Sequence, residues 1–192
     1  RTGFEAAHFA GHSLGGMIGP AYALKYPDRV LSLGLLSTAA FRSAFTNQNV
    51  VIHAGERKVE AGLTNVANAY VEGIGNPTII LQDAFDHPDW YLAPGTEVRG
   101  LRAQVRMVLT NNVRLHDLEV FGAYFGVDGR SCTNIHITNL TFHDVRNDAG
   151  WGSGLHLDGC SDFFVEGVRG WASDRGIEIE NGSSNGVVRN GR

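Results

Sequence analysis

The sequence predicts a mainly β chain: a right-handed parallel β-helix solenoid with a small N-terminal α/β fragment. Three observations carry this. First, four segments align with one another: Thr110-Asn111-Asn112-Val113-Arg114-Leu115, Cys132-Thr133-Asn134-Ile135-His136-Ile137, Cys160-Ser161-Asp162-Phe163-Phe164-Val165 and Ser183-Ser184-Asn185-Gly186-Val187-Val188. Their offsets are 22, 28 and 23 residues, too short for helical repeats and right for one turn of a solenoid. Second, Asn112, Asn134, Asp162 and Asn185 fall in one column, where a short polar side chain satisfies backbone at a bend. Third, glycine reaches 25 of 192 residues, well above the usual ~7%, as repeated corners require.

The N-terminal segment reads differently. A short strand, Ala6-Ala7-His8-Phe9-Ala10, enters Gly11-His12-Ser13-Leu14-Gly15-Gly16. The glycines permit a tight strand-to-helix turn that lifts the Ser13 hydroxyl clear and aims a helix N-terminus at developing negative charge. Met17 to Tyr26 reads as a helix stopped by Pro27-Asp28, and Arg29 to Leu36 as a buried parallel strand. On these residues, about 3 to 42 resemble the α/β-hydrolase superfamily, especially small esterases, lactonases and haloperoxidase-like members. The resemblance implies Ser13 as nucleophile and the Leu14 N–H as oxyanion donor. Two strands and one helix cannot bury a sufficient core alone. Residues 1–45 are therefore expected as a fragment capping the first rung, and 46–192 as the solenoid.

Along the solenoid, Asn68-Ala69-Tyr70-Val71 lies 44 residues before Asn112, two periods, with Phe85 to Gly95 expected to loop out between. Leu115, Ile137, Val165 and Val188 should stack inward. Cys132 and Cys160, one rung apart, read as stacked small apolar residues rather than a disulfide or metal pair. A leucine-rich repeat would need a recurrent Leu and Asn pattern that is absent. This part, about residues 50 to 192, resembles the pectate-lyase-like β-helix superfamily, which includes pectate lyases, polygalacturonases, alginate epimerases and phage tailspikes. The resemblance implies a fold and leaves the reaction open.

A second strand recurs as Phe125-Gly126-Val127-Asp128, Leu155-His156-Leu157-Asp158 and Ile177-Glu178-Ile179-Glu180. Alternation sends the aliphatic residues inward and Asp128, Asp158 and Glu180 outward in one column, with His156 beside Glu178. Such a ladder at ~4.8 Å spacing suits proton transfer, paired acid/base hydrolysis or Ca²⁺ binding. Asp158 is expected as central acid or base, Asp128, Glu180 and His156 as assistants, and Arg175 as the clamp on substrate or transition state. Arg130, Arg169 and Asp174 lie at nearby turns. Trp151, Trp171 and Tyr124, with Arg169, are expected to bind substrate as apolar platforms and a cation along a groove. Asp86, His87 and Asp89 have a metal-like spacing but no second cluster, so no metal site is assigned.

The expected function is a carbohydrate-active or carbohydrate-binding protein acting on an acidic polysaccharide, by lyase or hydrolase chemistry. The alternatives are a serine hydrolase using Ser13 and a structural or adhesion rod. A net charge of −4 gives no basic face for nucleic acid, and no apolar run reaches the ~18 residues of a membrane span. The chain opens Arg-Thr-Gly-Phe-Glu with no apolar signal segment, and an extracellular or periplasmic setting is the expectation. Asn185 to Arg192 begin another rung and stop, which predicts self-association through an open solenoid end.

Overall fold

The computed structural model describes residues 5–12, 18–19, 22–23, 25–36, 40–41, 44–45, 49–59, 63–81, 89–146 and 150–192. The chain is mainly β. Its strands pair in parallel and in repeating order, a solenoid-type arrangement. The first column of strands runs Ala7–His12, Val30–Leu36, Asn49–His53, Tyr70–Ile74, Glu97–Arg99, then the starts of Arg114–Phe121 and Thr133–His143, then Ser161–Glu166 and Val187–Arg189. The second runs Ala40–Phe41, Glu56–Val59, Thr78–Leu81, Arg102–Gln104, the ends of the two long strands, and Arg169–Trp171. The third runs Ala44–Phe45, Leu63–Asn65, Asp89–Tyr91, Arg106–Leu109, Val127–Arg130, Ser153–Asp158 and Arg175–Glu180.

The core follows from period-2 alternation. Val71, Val98, Leu115, Ile137 and Val165 form one inward ladder, all fully buried. Trp90, Met107, Val127 and Leu155 form another. Each such side chain contributes about 1.5–3 kcal/mol of burial. Both ladders end on exposed residues, Val188 and Ile177.

The corners use the left-handed region. Asn112, Asn134, Asp162 and Asn185 have φ of 60°, 58°, 54° and 52°. Asn134 Nδ2 donates to Asn112 Oδ1 at 2.8 Å, and Asn185 Nδ2 donates to Asp162 Oδ1 at 3.4 Å. The expected column is therefore present at its expected offsets. Asn68 joins it at φ 57°, and the intervening position is Gly95 at φ 76°. A Cβ on Gly95 would come within 2.1 Å of Asn68 Oδ1, so a side chain there would require Asn68 to turn away. A second corner column, Asp117, Asn139, Gly167 and Asn190, repeats the same conformation with φ of 54°, 54°, 69° and 55°.

The loop-out expected from Phe85 to Gly95 is corrected at its second half. Asp89–Tyr91 is a paired strand, and Trp90 is fully buried. Residues 82–88 lie outside the described ones.

At the N-terminus, Ala7–His12 pairs with Val30–Leu36, close to the two expected strands. Residues 18–19, 22–23 and 25 are helical. They pack on the buried side of these strands: Ala23 is 1% exposed, and a Cβ on Gly19 would meet Leu33 Cδ1 at 2.8 Å and Phe9 at 3.0 Å. Leu33 in turn stands in register with Val50, so the N-terminal strands continue the first column. Among the described residues, no helix is long and apolar enough to cross a membrane.

Candidate functional site

The outward face of the third column carries the densest set of ionisable groups. Asp128, His156 and Glu178 stand in register on three successive strands. Beside them, Arg130, Asp158 and Glu180 form a second outward row. The inward neighbours Val127, Leu155 and Leu157 anchor these strands in the core.

This register corrects the expected carboxylate column. Asp128 lies opposite His156, two positions from Asp158, and Arg130 takes the place assigned to Asp128. Three stacked carboxylates would repel. The observed order, Arg130, Asp158, Glu180, puts a cation at the start of the row.

His156 is the centre. It is 5% exposed. Its Nδ1 meets Asp128 Oδ1 at 2.8 Å, and its Nε2 meets Glu180 Oε1 at 3.0 Å. Both partners are acceptors, and an imidazole donates at both nitrogens only as the cation. Burial opposes that charge, yet the hydrogen bonds donated to Glu180 and Asp128, with the nearby carboxylate charges, outweigh it and raise the His156 pKa above its usual value. Phe125 stacks on the ring at 5.3 Å, and Tyr124 packs on Phe125 at 4.9 Å.

Asp128 is 2% exposed and is shared among cations. Arg130 Nε lies 3.3 Å from its Oδ2 and an Arg106 nitrogen 3.6 Å. Arg106 also donates to Asp89 Oδ2 at 2.7 Å, and the Tyr91 hydroxyl donates to the same oxygen at 2.9 Å. Asp89 is thus held by Arg106 and Tyr91. Asp86 and His87 lie outside the described residues.

At the other end of the row, Ser153 Oγ donates to Glu178 Oε2 at 2.6 Å, and Arg175 pairs with Glu178 Oε1. The Ser153 hydrogen bond first, then Arg175, hold the Glu178 carboxyl below its usual range. The Arg175 guanidinium lies 4.5 Å over the exposed Trp151 ring. Asp174 Oδ2 accepts from the Gly152 N–H at 3.1 Å, fixing the loop that presents Trp151.

Two expected substrate-binding residues lie elsewhere. Trp171 ends a second-column strand and stacks on His143 at 4.8 Å, with Phe121 on the ring's other side at 5.2 Å. Arg169 is in register with Thr141 and lines a separate cavity of about 360 Å³ with Asp117, Asn139 and Arg192. The corner at Ala172, φ 51°, separates both from the third column. Ser13 and Leu14 lie outside the described residues. Sequence reasoning gave no role to Ser153 or Arg106 and weighed Asp89 only for its metal-like spacing; the register Asp89 with Arg106, and Ser153 with Arg175, is what brings them to this face.

His156, Asp158 and Glu180 bring ligand atoms within 4.8 Å of one another, the cluster among the described residues that could hold a metal ion. An imidazole nitrogen beside two carboxylates suits Zn²⁺ or a related transition ion, whereas Ca²⁺ takes oxygen ligands. The donor set therefore does not fit the Ca²⁺ expectation.

One comparison with known proteins bears on the N-terminal part of the chain. The sequence model of a family described as alpha/beta hydrolase fold matches residues 1–87. The chain is 49% identical over 43 residues to the dihydrolipoyllysine-residue acetyltransferase component of an acetoin cleaving system from Cupriavidus necator. That match covers 22% of this chain and 12% of the relative's length. No solved structure matches the chain.

Proposed function

We propose that the third-column face is an acid–base site on a right-handed parallel β-helix of the pectate-lyase-like kind, acting on an acidic polysaccharide. The observation that supports it is His156 between buried Asp128 and exposed Glu180. Asp128 positions the imidazolium and keeps it charged. Glu180 reaches solvent and can give up its hydrogen bond to an incoming ligand. His156 then has a proton to deliver, and Asp158 is the neighbouring carboxylate placed to accept one. Arg175 over Trp151 offers a cation and an apolar plate to a uronate ring.

The test is incubation with polyuronates. A lyase yields an unsaturated product that absorbs in the ultraviolet, and a hydrolase yields reducing ends without it. Asp158→Asn and His156→Ala, with circular dichroism unchanged, should abolish either signal. Unchanged processing in both variants would remove the assignment.

A second reading is a serine hydrolase on esters or lactones, with Ser13 as nucleophile and the Leu14 N–H as oxyanion donor. The comparisons favour this reading over the first: the family match over residues 1–87 bears on it, and no comparison bears on sugars. The parallel pair Ala7–His12 and Val30–Leu36, with helical residues between, is compatible with it. A fluorophosphonate probe separates the two readings, since labelling lost in Ser13→Ala supports the hydrolase.

A further inference from the structure

Cys132 and Cys160 sit at one corner of successive turns, each one residue ahead of a first-column strand. Thr133 pairs with Ser161, and the Ser161 N–H donates to the Cys132 carbonyl at 2.9 Å. Both side chains point inward and are 3% and 1% exposed. Both are free thiols, and their sulfurs lie 2.9 Å apart. The space opposite comes from Gly129, where a Cβ would stand 2.9 Å from Cys132 Sγ. Neighbouring parallel strands run ~4.8 Å apart, inside the Cα window of about 4.4–6.8 Å that a disulfide spans. The sulfurs need to close by only about 0.9 Å to reach bonding distance.

We propose that Cys132 and Cys160 are a covalent modification site that closes as an intramolecular disulfide between two adjacent turns. The ring it closes spans 28 residues and contains Ser153–Asp158, the strand that carries His156. The inference is independent of the function proposed above.

The oxidant is a small-molecule disulfide such as oxidised glutathione. One cysteine thiolate attacks it and expels a glutathione thiolate, leaving a mixed disulfide. The second cysteine thiolate attacks the protein-side sulfur and expels the other. Two protein S–H bonds and the oxidant's S–S bond break, and one protein S–S bond forms. The protein thiols lose two electrons, and the two protons end on glutathione. Burial pushes the Cys132 thiol pKa up, so little thiolate exists in the folded chain. The bond therefore forms as the chain folds and is afterwards shielded from reductant.

The experiment is refolding of the full chain with oxidised and reduced glutathione, beside refolding in reductant alone. The oxidised product should be lighter by two hydrogens and show no free thiol in denaturant. It should run as a monomer on a non-reducing gel and melt about 10 °C above the reduced product. Cys132→Ser and Cys160→Ser should each abolish that difference. An oxidised product that keeps two reactive thiols, or carries only glutathione adducts or intermolecular dimers, overturns the proposal. If neither variant folds, the mass and thiol count of the unaltered chain decide.

Discussion

His156 donates from Nδ1 to Asp128 across two neighbouring strands, and Asp128 is the more deeply buried of the two. The pair is a cation and an anion taken out of water together, held in place by strand register rather than by loop geometry. Its energetics follow from that burial.

The first consequence is a pH dependence. The folded pKa of His156 is raised, against about 6.5 in the unfolded chain. Its contribution to stability is complete below about pH 6.5 and declines as pH rises through the raised folded value. Asp128, Glu180, Glu178 and Asp158 face the ring, and Arg106 and Arg130 lie against Asp128. The melting temperature of the unaltered chain should exceed that of His156→Gln most below about pH 6.5, and the difference should shrink as pH rises through the raised folded value. A difference that stays constant across this range would contradict the ion-pair reading.

The two carboxylates on His156 should behave unequally. Asp128→Ala strands Arg106, Arg130 and His156 around an emptied acceptor position and should cost about 3–5 kcal/mol. The Glu180 side chain is 45% exposed, and Glu180→Gln should cost under about 1 kcal/mol. Urea titration of the two variants gives the comparison.

Asn134 couples conformation to a ladder hydrogen bond. Asn134→Gly keeps the left-handed backbone and loses the bond, for about 1 kcal/mol. Asn134→Ala loses the bond and puts a Cβ in the left-handed region, for about 2 kcal/mol. Equal losses in thermal unfolding would show that the corner relaxes.

The stacked column Phe121, His143, Trp171 predicts an optical titration. Burial opposes the His143 charge, but hydrogen bonds to Asp144 and Glu119 raise its pKa. An imidazolium against the indole should quench Trp171 emission at low pH, with recovery above the raised value. His143→Gln should remove the transition, and Trp171→Phe should remove the signal. A titration that survives in His143→Gln assigns it elsewhere.

Much of this architecture was legible in the residues. The ladder Leu115, Ile137, Val165, Val188 and the Asn column pair at the offsets read from the sequence. The turn containing Glu97–Arg99 was obscured. It follows its predecessor by 27 residues and precedes its successor by 17, and glycine stands where asparagine or aspartate marks the other corners. The site was misread for a related reason. Matching acid to acid set Asp128 against Asp158, while inward packing of Val127 on Leu155 fixes the pairing two residues away. The placement of Trp171 depended on a corner that the sequence marks only by Ala172, a residue type rarely found in that conformation.

The layered pairing of the strands has a bearing on how the molecule fails. Each layer is buttressed only by the layers before and after it, so melting can advance as a front instead of striking the whole chain at once. Among the described residues Arg175–Glu180 is the last third-column strand, and its inward Ile177 and Ile179 are 36% and 39% exposed. That layer also supplies Glu180, Glu178 and Arg175. Fraying of a single layer would strip His156 of its solvent-side partner while the interior stayed intact, so chemistry and global stability need not fade at the same temperature.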